Sequence, residues 1–91
     1  MSTGPTQRDP KHETAAVIAE VFRRETSTVL ATLVRQLRDF DRAEEALQDA
    51  YLAALRTWPT DGVPERPGAW LTTTAKRRAI DRIRRHKAQD R

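Results

Sequence analysis

The chain has 91 residues, room for one small domain with a single core. It has no cysteine and only two histidines, His12 and His86, near opposite ends, which excludes disulfides and thiolate metal sites and argues against a zinc centre. The net charge of +4 is unevenly spread, with residues 38–58 at −2 and residues 59–91 at +5, so one end is built for a polyanion and the middle would repel one.

No apolar run approaches the ~20 residues of a membrane span. Residues 1–11 lack the apolar segment of a secretory signal, so a cytoplasmic protein with no membrane partner is expected. Residues 1–12, polar and carrying Gly4, Pro5 and Pro10, read as a disordered lead-in.

The first helix is expected over residues 13–37, where Ile18, Phe22, Val29, Leu30, Leu33, Val34 and Leu37 recur at helical spacing. Thr26, Ser27 and Thr28 are weak helix formers and predict a kink or break that would give two shorter helices in line. Residues 38–41 form the turn. Asp41 followed by Glu44 matches a carboxylate-led helix start, with Phe40 placed to staple it.

The second helix then runs to Trp58. Ala43, Ala46, Leu47, Ala50, Tyr51, Ala54, Leu55 and Trp58 make one apolar stripe, and its alanines let a neighbouring helix approach closely. Pro59 is expected to end it. Residues 59–67, with three prolines and Asp61-Gly62, read as a stiff loop. The third helix starts at Pro67, suited to a first turn, and frays after His86. No strand candidate remains, so the fold is all-α, three or four helices.

On the third helix, at about 100° per residue, Leu71, Ala75, Ala79 and Ile83 share the core side, with Ile80 at its edge. The opposite side collects Trp70, Thr73, Thr74, Arg77, Asp81, Arg84 and Arg85, with Arg78 at its border. Arginine forks match phosphate oxygens, and a Trp ring can stack on an unpaired base for roughly 1–3 kcal/mol. Trp70 could equally tuck into the core beneath the loop. Cations near a helix C-terminus favour the dipole in any case, but seven Lys or Arg within residues 76–87 against one acid exceed that need and point to nucleic acid. The acidic second helix has a polar face of Glu45, Gln48, Asp49 and Arg56 around Leu52, either an ordinary exposed leucine or an anchor for a partner helix.

These segments, in this order, resemble region 2 of bacterial extracytoplasmic-function (ECF) sigma factors. DRAEEALQDAYLAAL at 41–55 is similar to the family's D-x-A-E-D-x-x-Q-E-x-F-x-x-x-L, and GAWLTTTAKRRAIDRIRR at 68–85 to A-W-L-x-x-I-A-R-N-x-A-I-D-x-x-R-R. The AWLTTTAKRRAID segment with its DGVP loop is also similar to a sigma subgroup that carries extra C-terminal domains. The resemblance implies a compact three- to four-helix region 2 bundle over residues 13–88, with an interdomain linker starting at 89–91. It implies that Glu45, Gln48, Asp49 and Leu52, with Glu44 and Leu55 beside them, bind the clamp helices of the largest subunit of core RNA polymerase. It also implies that the minus-ten non-template strand of promoter DNA is held as it melts. Residues 60–66, with Asp61, Gly62 and Val63, would take a flipped base. Trp70, Thr73, Thr74, Arg77, Arg78, Arg84 and Arg85 would contact the strand or the duplex edge.

The pattern departs at Arg77, where relatives have Asn, so a phosphate grip replaces the amide's base contact, and at Thr74, where they have an aliphatic residue. Nothing in the chain matches region 4, the second domain of such factors, so a domain fragment of a longer protein is expected. Any anti-sigma factor would compete for the same faces. The alternative is the helical DNA-binding domain of a transcriptional repressor, which the long Pro-rich loop disfavours. A pure protein-interaction module would leave the arginine cluster unexplained. No catalytic residue set, metal site or cofactor motif is present, so an enzyme is not expected.

Overall fold

The computed structural model describes residues 10–89, with side chains from Glu13 onward. Three helices follow one another, α1 (Pro10–Leu37), α2 (Phe40–Asp61) and α3 (Pro67–Gln89), and each packs against the other two. There is no strand among the described residues, so the all-α expectation holds with three helices rather than four. Residues 1–9 of the expected lead-in lie outside the described residues. Pro10 already occupies the first turn of α1, three residues before the expected start.

Helix α1 is unbroken across Thr26–Thr28, contrary to expectation. The hydroxyl of Thr26 donates to the Phe22 carbonyl, and that of Thr32 to the Thr28 carbonyl at 3.0 Å, so these groups bond within the helix instead of diverting its backbone. Val29 and Leu33, both buried, then supply tertiary packing that overrides weak propensity. Arg38, at φ 58°, closes α1 by donating its N–H to the Val34 carbonyl at 2.7 Å, a left-handed cap more usual for glycine.

The cap of α2 is Asp39, not Asp41. Its backbone is extended and its carboxylate accepts from the Arg42 N–H at 3.0 Å. The left-handed Arg38 ends the turn so abruptly that helix resumes at Phe40, which puts Asp41 inside the first turn. Phe40 is exposed and staples nothing. At the other end Pro59 lies inside α2, which continues to Asp61. So close to the terminus the proline deprives only the Leu55 carbonyl of a donor, on an exposed face. Gly62, at φ 91° and ψ 158°, stops the helix, its N–H donating to the Trp58 carbonyl at 2.8 Å. The non-helical connector is therefore residues 62–66, shorter than the expected loop.

The core is Ile18, Val21, Val29 and Leu33 from α1, the alanine stripe with Leu47, Tyr51 and Trp58 from α2, and Leu71, Ala75 and Ala79 from α3. Leu30, Val34, Leu37 and Trp70 pack around it half-buried. Two expected core residues are displaced. Phe22 is exposed, with Val21 buried in its place, and its ring lies against Tyr51 with centroids 4.2 Å apart. Leu55 is exposed while Ala53 is buried. Ile83 is half-buried, and α3 continues past His86 to Gln89. No helix among the described residues is long and apolar enough to cross a membrane.

Candidate nucleic-acid and polymerase-docking faces

The short connectors make α2 antiparallel to both neighbours, so its two ends meet different parts of α3. Near the connector, Trp58 and Trp70 meet edge to face at 5.2 Å and 68°. Trp58 is almost fully buried, and its indole Nε1 has no hydrogen-bond partner among the described residues. Trp70 is half-buried, so its ring is shared between core and surface. Helix α3 begins against α1. The carboxylate of Glu25 sits over its first turn, so close that a Cβ on Gly68 would come within 2.5 Å of Oε1. An anion there favours the positive end of the α3 dipole.

The outer face of α3 is cationic. Thr73, Arg77, Arg78, Arg84 and Arg85 are exposed and Thr74 is half-buried. The four arginines make no ion pair among the described residues, so their forks remain open to phosphate. Asp61 is the last residue of α2, Gly62 its cap and Val63 an exposed apolar residue of the connector. Asp61 and Thr60 are thus helical, where the loop was expected to hold them. Gly62 has a backbone duty besides any contact with DNA.

The acidic face of α2 is only partly open. Glu45, Gln48 and Leu52 are exposed, as are Glu44 and Leu55, but Asp49 is half-buried. Arg82 of α3 covers it. Its Nη2 and Nε donate to Asp49 Oδ2 at 2.7 and 2.9 Å, and its Nη1 to Glu45 Oε2 at 2.8 Å. Beside this cluster a groove of about 750 Å³ is lined by Asp41, Glu44 and Gln48 of α2 and by Arg85 and His86 of α3. Arg82 was not singled out from the sequence. The signal was there, because at about 100° per residue it falls between Leu71 and Ala75 on the core arc, where a cation needs an acid partner.

Among the described residues no cluster of His, Cys, Asp or Glu could hold a metal ion. Of the ionisable groups, Tyr51 stands out. Burial pushes its phenol above the usual range, the hydrogen bond with Thr26 (3.3 Å between oxygens) pulls the other way, and the Glu25 charge adds to the rise.

Comparison with known proteins agrees with this arrangement. The family model described as Sigma-70 region 2 matches residues 21–89. The chain is 41% identical over 71 residues to the ECF RNA polymerase sigma factor SigK of Mycobacterium sp. (strain KMS), covering 77% of this chain and 37% of that protein. It is 43% identical over 61 residues to SigK of Mycobacterium ulcerans (strain Agy99), covering 66% and 33%. It is also 43% identical over 56 residues to an uncharacterized protein of Rhizobium meliloti (strain 1021), covering 62% of this chain and 13% of that protein. The chain thus spans well under half the length of these relatives. No solved structure matches it. With the model match extending over most of α1 and all of α2 and α3, the chain belongs to the sigma-70 region 2 family, in its ECF branch.

Proposed function

We propose that this domain acts in transcription initiation as the part of an ECF sigma factor that docks to core RNA polymerase and holds the promoter minus-ten element as it melts. The observation that carries the reading is one packed helix pair with opposite chemistry on its two outer faces. Helix α2 presents Glu45, Gln48 and Leu52, while α3 presents Arg77, Arg78, Arg84 and Arg85, unpaired among the described residues. The first face suits the cationic and apolar side chains of the polymerase clamp helices, with Leu52 as anchor. The second suits a single strand. Arginines grip phosphates without reading sequence, Thr73 and Thr74 add short hydrogen bonds, and the free part of Trp70 offers a stacking surface.

Base choice falls to the end of α2 and the connector, where Asp61, Gly62 and Val63 flank the path of a flipped base. Arg77 supplies a phosphate fork where relatives place an asparagine. The domain does no covalent chemistry; the polymerase does. It works in the cytoplasm beside the polymerase, and an anti-sigma factor would act by covering either face. A repressor-type helix-turn-helix is the weaker reading. There the helices cross at ~90–120° about a turn of about 3–4 residues, whereas α2 and α3 lie alongside each other, tied at Trp58–Trp70 and at Asp49–Arg82.

The test is an anisotropy titration with single-stranded minus-ten non-template DNA and with random duplex, across a salt series. The single strand should bind more tightly, with affinity falling steeply as salt rises. Equal affinity for both would sink the melting role.

A further inference from the structure

Arg82 belongs to the basic helix but is spent on the acidic one. It lies about 40° from Arg78 and about 60° from Arg85 around α3, at the inner border of the cationic surface. Those two arginines are unpaired among the described residues, while Arg82 donates to both Glu45 and Asp49. The Asp49 side chain is only 18% exposed under this cover, whereas the Arg82 side chain is 43% exposed. A cationic partner side chain therefore cannot reach Asp49 without displacing the guanidinium. Displacement is feasible because the Arg82 and Glu45 side chains are 43% and 53% exposed, and ion pairs open to water are individually weak. A displaced arginine next to a row of phosphate-binding arginines has an obvious second acceptor in a phosphate.

We propose that Arg82 is a cation exchanged between two partners: held by Glu45 and Asp49 in the free domain, and released to nucleic-acid phosphate when the polymerase claims those carboxylates. This rests on the reading that α2 docks to polymerase and α3 to DNA. It adds a coupling between the two events that neither face has alone. Coupling is reciprocal, so polymerase docking strengthens the DNA grip and bound DNA strengthens docking. In the free domain the same contact masks Asp49 and withholds one cation from DNA.

The exchange can be read without polymerase by neutralising the two acids. Binding of fluorescein-labelled oligo(dT) to the whole chain is measured over a salt series for the native protein, Glu45→Gln/Asp49→Asn, Arg82→Gln and the triple variant. Each phosphate neutralised on a single strand adds about 0.7 to the slope of log affinity against log salt. The acid-to-amide variant should therefore be steeper than native by about 0.7, one phosphate's worth. Arg82→Gln should flatten the slope by about 0.7 more in that background than in the native one.

Equal flattening in both backgrounds overturns the exchange, because Arg82 would then act only as a distant charge. Binding without a salt slope in any variant overturns both the DNA reading and the proposal, and is told apart by the absent slope. The amides preserve shape, and far-UV circular dichroism checks folding. Should the double variant melt, Glu45→Gln alone, at a half-exposed side chain, must give a smaller steepening of the same sign, and no steepening there overturns the exchange.

Discussion

Trp58 and Trp70 face each other edge-on at 5.2 Å across the connector, so the ring proposed to stack on a base is also a wall of the core. An edge-to-face pair adds roughly 0.5–1.5 kcal/mol to the burial of its rings. Trp70→Ala should therefore lower stability to urea by about 2 kcal/mol, short of the ~3–5 kcal/mol for a fully buried Trp. Trp70→Phe should retain most of that stability while weakening single-strand binding. A Trp70→Ala protein as stable as native would mean that the ring serves only the ligand. Trp58→Phe should cost little of what truncation to alanine costs, because the indole N–H it removes has no hydrogen-bond partner among the described residues to lose.

The two positive-φ residues among those described should respond in opposite directions. Gly62 has φ 91° and ψ 158°, a region almost reserved for glycine, yet a Cβ there would meet nothing within 4 Å. The cost of Gly62→Ala is thus backbone strain alone, about 1–3 kcal/mol by chemical denaturation. Arg38 is a side-chain-bearing residue at φ 58°. Its left-handed conformation costs ~1–2 kcal/mol, partly offset by the extra chain entropy that glycine loses on folding. Arg38→Gly should therefore raise stability by up to about 1 kcal/mol. A loss on Arg38→Gly would show that the arginine side chain makes a contact of its own.

What the sequence made legible, and what it hid, divides along the range of the forces involved. The Ala43–Trp58 stripe and the Leu71–Ala79 arc were readable because a helix repeats locally and each stripe has only one way to face inward. The polar face of α3 was readable for the same reason. The continuity of α1 was not, because Thr26 and Thr32 turn their hydroxyls onto their own helix and Val29 and Leu33 are fixed by α2 and α3. The choice of Asp39 over Asp41 depended on Arg38 accepting a left-handed backbone, which composition does not announce. Val21 in place of Phe22, and Arg82 among the acids of α2, depend on the angle at which whole helices meet. No single-helix pattern carries that angle.

Tyr51 links α1 to α2 and should give stability an alkaline limit. Its phenol is raised above the ordinary value of 10.0, chiefly by burial. The folded state then keeps the proton that the unfolded chain releases near pH 10, so unfolding releases a proton above that pH and stability falls as pH climbs past that point. Below the unfolded value the contribution is fully present. Thermal melts should be level in this respect up to about pH 9 and decline beyond about pH 10. Tyr51→Phe should remove this component of the decline while losing the Thr26 contact.

Arg84 and Arg85 are exposed and carry no ion pair among the described residues, so removing them should spare the fold and weaken the grip. Arg84→Ala with Arg85→Ala should lower affinity for all single strands alike. It should also flatten the salt slope by about 1.4, two phosphates at ~0.7 each. Loss confined to one sequence would instead make these residues base readers.

The proposed polymerase face calls for a variant that does not also disturb the domain. Asp49→Lys, the obvious charge reversal, sets a cation against Arg82, which Asp49 now holds at 2.7 Å. It should therefore destabilise the helix pair as well as hinder docking, and a loss of binding could not be assigned to one cause. Leu52 avoids the ambiguity. It is 54% exposed and lies outside the core cluster, so Leu52→Asp should alter stability by no more than about 0.5 kcal/mol. A buried leucine anchor contributes roughly 1.5–3 kcal/mol to an interface. At ~1.4 kcal/mol per tenfold, the substitution should weaken binding to core polymerase by about tenfold or more. Unchanged affinity in a pull-down titration against core enzyme, with the melting curve intact, would move the docking surface away from this face of α2.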